Sequence, residues 1–175
     1  MSDQPSEGRL GLSTEARQGL SRYVWKVAIP RECAIVVLVN APWAWLVFRG
    51  REDITHLGWG GLIAFLGPMS FILPFFTSFF GWMTGIILKP YFGFAKVHLS
   101  FQNWILPASL VGILNGILGA VTTVSCLWGM DRIVPNLRWN TFQAVLIVSI
   151  VACMLATVFH PWCIRRSLQT SRYRT

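Results

Sequence analysis

LGWGGLIAFLGPMSFILPFFTSFFGW, residues 57–82, is the stretch whose reading decides the fold. It carries no charged side chain, and the uncharged run continues to Leu88 before Lys89-Pro90 ends it. From Gly58 to Leu88 that is thirty-one residues, about 46 Å of helix at 1.5 Å per residue. The hydrocarbon core of a bilayer is only about 30 Å thick. The excess is expected to become tilt, a kink or a half-helix at the outer surface, with Gly67-Pro68 and Pro74 as break points.

The chain also repeats this stretch. A shift of eighty residues lays residues 57–82 on 137–162 without a gap. Seven positions are then identical: Leu57/Leu137, Trp59/Trp139, Ala64/Ala144, Leu66/Leu146, Thr77/Thr157, Phe79/Phe159 and Trp82/Trp162. Self-similarity at a fixed offset is the mark of a structural repeat. Tryptophan belts at the two membrane interfaces account for the Trp pairs alone; the other five matches point to a duplicated two-helix hairpin. Two such hairpins in tandem share one orientation and are related by an axis along the membrane normal.

Composition sets the class. Of 175 residues 54% are hydrophobic and 13% charged, with mean hydropathy +0.53, whereas ordinary soluble chains carry about a quarter charged residues. The fold expected is all-α, a polytopic membrane protein with four transmembrane helices in two parallel-repeat hairpins. The spans are read at about 32–48, 60–88, 104–130 and 141–163, forming one domain over 32–163. Residues 1–31 form a cytoplasmic arm and 164–175 a basic cytoplasmic tail. No cleavable signal is expected, because the first thirty residues are polar and charged. In the arm, Leu12, Ala16, Leu20, Tyr23, Val24 and Val27 recur at helical spacing. They predict an amphipathic interfacial helix in the headgroup layer, stopped by Pro30.

The net charge of +8 does not indicate nucleic acid, which requires a basic face on a folded soluble domain. Eleven of the fifteen basic residues fall on the side of the termini and four (Arg49, Arg51, Arg132, Arg138) on the other. That asymmetry predicts both termini in the cytoplasm. Arg22, Lys26, Arg165 and Arg166 are the expected contacts to anionic lipid headgroups.

No catalytic set, metal site or cofactor is expected. The four cysteines lie far apart and read as small apolar fillers, with acylation of Cys33 or Cys163 a minor alternative. His56, His98 and His160 lie near interfaces; of these only His160, before Pro161-Trp162, has the placement of a lone axial ligand to a haem or chlorophyll. Glu32 reads as a surface pair with Arg31. Gly81-x-x-x-Gly85, Gly112-x-x-x-Gly116 and Ala152-x-x-x-Ala156 give three spans a small-residue face for close helix approach. Asn40 and Asn115 read as polar links between helices, or as the lining of a path.

The fourth span carries a further pattern: Trp139 ending a turn, small residues Ala152 and Ala156 in mid-helix, then Pro161 and the pair Arg165-Arg166. It resembles small bacterial membrane proteins of uncharacterised activity built from one or two copies of a two-helix hairpin. The resemblance implies the architecture alone and transfers no activity; the location expected is the bacterial inner membrane. The favoured function is a non-enzymatic protein acting through helix packing, as a homo-oligomer or an accessory subunit of a larger membrane complex. A small permease with a path between the two hairpins is the alternative. The topology predicts that a reporter fused at Thr175 reads out as cytoplasmic; activity of that fusion outside the membrane contradicts it.

Overall fold

The computed structural model describes residues 14–92, 101–135 and 137–169. Five α-helices account for most of them: α1 (Thr14–Tyr23), α2 (Ile29–Phe48), α3 (Leu62–Leu88), α4 (Leu106–Ile133) and α5 (Thr141–Gln169). Four helical stretches are long and apolar enough to cross a membrane: Thr14–Phe48, Leu62–Phe92, Leu106–Ile133 and Thr141–Gln169. The aromatic-basic segment with Lys96 and His98, and the tail arginines Arg172 and Arg174, lie outside the described residues.

The helices stand in the order α2–α5–α3–α4, with extensive packing only between neighbours in that row. The members of each sequence hairpin, α2 with α3 and α4 with α5, scarcely touch. Of the two inner helices of the row, α3 carries the opening stretch. Its flanks meet α4 on one side and α5 on the other, and both seams are built on glycine. A Cβ added to Gly81 would lie 2.8 Å from the His160 carbonyl oxygen, and one on Gly85 2.7 Å from that of Ile164. On the other flank, a Cβ at Gly112 would meet the Phe75 carbonyl at 3.0 Å, at Gly116 that of Phe71 at 2.8 Å, and at Gly119 that of Ser70 at 2.5 Å. Small residues let helix backbones approach closely where lipid supplies no hydrophobic drive.

Neither proline breaks α3. Pro68 and Pro74 both lie inside a continuous helix, and Gly58–Gly61 belong to the preceding turn. The excess length is thereby divided between loop and helix. Proline at 74 leaves the Ser70 carbonyl without its helical donor. That carbonyl and the Pro74 ring both face Gly119, so α4 accommodates the irregularity with its smallest residue.

Pro30 does not stop the first helix either. From Thr14 the chain runs through it into α2 as one helix, with a π-turn at Val24–Ala28 in which Ile29 N–H donates to the Val24 carbonyl. The wider turn precedes proline, whose ring and missing N–H an α-turn would not accept. The expectation of a separate interfacial helix ended at Pro30 is therefore corrected. Leu20, Val24 and Ala28 are buried with Ile164 and Leu168, so the apolar stripe of this segment covers the C-terminal end of α5. Arg22, Lys26, Arg165 and Arg166 are exposed.

The end of the row that carries Phe48 is tied together by the loop before α3. Ile54 and Trp139 exchange backbone hydrogen bonds at 2.9 Å, and the Thr141 hydroxyl donates to the Phe48 and Arg51 carbonyls at 2.7 and 3.0 Å. The Thr55 and His56 carbonyls accept from Leu62 and Ile63 N–H, satisfying the start of α3. At the start of α5, Asn140 and Gln143 bond reciprocally, each side chain to the other's backbone N–H, as in a capping box.

The eighty-residue register does not carry equivalent packing positions. Leu66 is 1% exposed and its match Leu146 49%; Trp82 is 5% and Trp162 49%. The buried faces of α3 and α5 correspond instead at an offset of eighty-two: Leu62/Ala144, Leu66/Val148, Ser70/Ala152, Pro74/Ala156, Ser78/His160 and Trp82/Ile164. Two residues turn a helix by about 200°, which puts the identical pairs on opposite faces.

These seams predict unequal costs for added bulk. Gly116→Leu should destabilise the purified protein by about 1–3 kcal/mol or more through overpacking against backbone. A Cβ at Gly129 would meet nothing within 4 Å, so Gly129→Ala should be neutral or stabilising by up to about 1 kcal/mol. Unfolding by denaturing detergent, followed by circular dichroism, separates the two.

Candidate functional site

Two polar clusters lie inside the helix row. In the first, α3, α4 and α5 meet around Asn115. Its amide donates to the Ser78 hydroxyl at 2.8 Å and approaches the Cys163 sulfur at 3.6 Å. Asn115 follows from the same turn of α4 that carries Gly112 and Gly116, so the glycine seam brings its side chain within reach of α3. Asn115 is 7% exposed and Ser78 fully buried, which makes this a link between three helices. Cys163, also fully buried, is enclosed at this junction.

In the second cluster, α2, α3 and α5 meet around His160. The imidazole is fully buried; Nδ1 lies 3.1 Å from the Thr77 carbonyl and 3.9 Å from a Glu32 carboxylate oxygen. A carbonyl only accepts, so Nδ1 carries the proton and Nε2 presents its lone pair in the neutral ring. Nε2 is buried without a partner among the described residues. A porphyrin or chlorophyll needs an open face at the ligating nitrogen, and both ring nitrogens here are enclosed. The axial-ligand expectation for His160 does not fit this geometry.

Glu32 is corrected as well. It is 7% exposed and faces His160, while its neighbour Arg31 points outward. It lies sixteen residues before Phe48 on a continuous helix, about 24 Å along the axis. The charge pattern around Arg31-Glu32 did not disclose this, because which side of α2 faces α5 depends on the packing order.

Alongside this cluster runs a groove of about 500 Å³ between α2 and α3. It exists because α5 lies behind the two helices and holds them apart. Residues 32, 35, 36, 39, 40 and 43 supply one wall and residues 64–80 of α3 the other. Asn40 lies on that wall, but its amide donates to the Val36 carbonyl of its own helix at 2.7 Å. It links no helices. Gly81, Gly85, Gly112 and Gly116 lie in the two seams already described. Ala152 and Ala156 are buried in the main apolar core with Val36, Leu66 and Leu73.

Cys33 and Cys153 face one another across the α2–α5 seam, each thiol 3.9 Å from the other's backbone carbonyl. In the loop before α3, His56 is buried, 3.8 Å from an Asp131 carboxylate oxygen and edge-on to Trp139. Among the described residues no group of three His, Cys, Asp or Glu side chains comes together.

These features define an all-helical protein with four helices long and apolar enough to cross a membrane, joined by buried polar links. No protein-family model, no curated protein and no solved structure matches the chain.

The junction predicts that Asn115→Leu lowers stability by up to about 2 kcal/mol, the range for cross-helix hydrogen bonds in membranes. A double-mutant cycle with Ser78→Ala on purified protein measures it. A coupling energy indistinguishable from zero would remove Asn115 as a link.

Proposed function

We propose that the protein is a non-enzymatic integral protein of the bacterial inner membrane that acts through helix packing, self-associated or as an accessory subunit of a membrane complex. Both termini are cytoplasmic in this reading, and the chain descends from a duplicated hairpin. The row α2–α5–α3–α4 maps on itself when α2 exchanges with α4 and α3 with α5, which supports the duplication. The permease reading loses ground at two of the three seams between the hairpins, α3–α4 and α3–α5, which are closed by glycine against backbone.

One observation carries the proposal. Helix α4 turns Gly112, Gly116 and Gly119 inward, and it turns a second small face outward. Thr122, Ser125 and Cys126 are exposed there, and Gly129 continues the face with open space beyond it. Lipid gains nothing from small polar side chains at helical spacing, whereas a second helix gains close approach and hydrogen bonds.

Cys126, exposed on this face, is the natural reporter. Oxidative cross-linking in native membranes should give a disulfide-linked dimer of the chain, or one mixed adduct of defined mass, lost in Cys126→Ser. Ser125→Leu should reduce the adduct and leave the fold intact by circular dichroism. Wild-type protein that stays an unlinked monomer across oxidant concentrations contradicts the reading.

A further inference from the structure

The groove between α2 and α3 plays no part in the α4 face, and its chemistry points elsewhere. Its length is set by α2: from Glu32 to Trp43 is eleven positions on one helix face, about 16 Å. The walls are apolar and aromatic, with Trp43 at the outer end and Phe76 and Phe80 toward the inner end. A single acidic group closes that inner end, and no Lys or Arg lines the groove. The volume of about 500 Å³ falls in the range of small-molecule pockets, about 300–1,000 Å³.

The carboxylate is also under-neutralised. Among the described residues Glu32 has one ion-pair neighbour, His160, at 3.9 Å. The imidazole proton on that side is already directed at the Thr77 carbonyl, 3.1 Å away, so the neutral ring offers Glu32 little. A buried carboxylate needs a counter-charge or a proton. A cation lying in the groove meets that need and rests its apolar bulk on rings whose π-faces attract positive charge.

We infer that the α2–α3 groove is a binding site for a lipophilic organic cation, with Glu32 as its counter-ion and the aromatic walls as its cradle. Entry is lateral, from the bilayer, because the groove opens between two helices that do not pack on each other. Occupancy by a neutral lipid chain is the competing outcome, and charge separates the two. The inference does not depend on assembly through α4.

The test uses the full chain in nanodiscs of zwitterionic lipid. Tetraphenylphosphonium is the probe, triphenylphosphine oxide its neutral counterpart, and tryptophan quenching with calorimetry the readout. Wild-type protein should bind the cation saturably. Glu32→Gln should weaken that binding at least about tenfold, as expected when one partner of a buried charge pair is removed, and change binding of the neutral compound less than about twofold. Ile72→Trp, which fills the groove and leaves the carboxylate in place, should block the cation as well. It serves as the second variant if Glu32→Gln fails to fold. Equal cation binding by wild type and a folded Glu32→Gln overturns the inference. So does undiminished binding by Ile72→Trp, or no saturable binding by wild type.

Discussion

The fold depends on backbone-to-backbone approach along both flanks of α3. Water is not available to drive these helices together, so van der Waals contact and polar links must do it. Gly81 and Gly85 admit the α5 backbone on one flank; Gly112, Gly116 and Gly119 of α4 admit the α3 backbone on the other. Once α3 is clasped on both sides by α4 and α5, its hairpin partner α2 cannot also lie against it. Helix α2 is displaced onto α5, and the row α2–α5–α3–α4 follows.

That displacement produces the two features with chemical content. Because α2 reaches α5 but not α3, a groove opens between α2 and α3 along the stretch that carries Pro68 and Pro74. Because the N-terminal end of α2 meets α5, Glu32 is turned toward His160 and out of water. The polar links follow the same geometry. Asn115, Ser78 and Cys163 meet where the two glycine seams run closest, and His160 meets Thr77 where Gly81 has removed a side chain.

Much of this was legible in the sequence. Four uncharged runs separated by charged turns fix four spanning helices, since only helices satisfy their own backbone in lipid. The glycine spacings named the right surfaces, with Gly119 one turn beyond the motif. What the sequence did not disclose was order and phase. The eighty-residue identities Leu66/Leu146 and Trp82/Trp162 fall on opposite faces, because the packing register is eighty-two and two residues are more than half a turn. Pro30 looked like a stop, and a π-turn at Val24–Ala28 carries the helix through it. Glu32 looked like an edge residue because its burial is decided by α5, which lies more than a hundred residues further on. Burial set by a distant element leaves no local signal.

The groove, the glycine seams and the burial of Glu32 all depend on which helices are neighbours. Paired cysteines in an otherwise cysteine-free chain, oxidised in native membranes, read this directly. A chain that keeps only Cys33 and Cys153, on α2 and α5, should cross-link efficiently, because the two side chains face one another across that seam. A pair on α4 and α5, at Ile113 and Met154, should not, since both residues face away from the seams. Efficient linkage of the α4–α5 pair with none between α2 and α5 would contradict the row, and with it the groove and the buried Glu32–His160 contact.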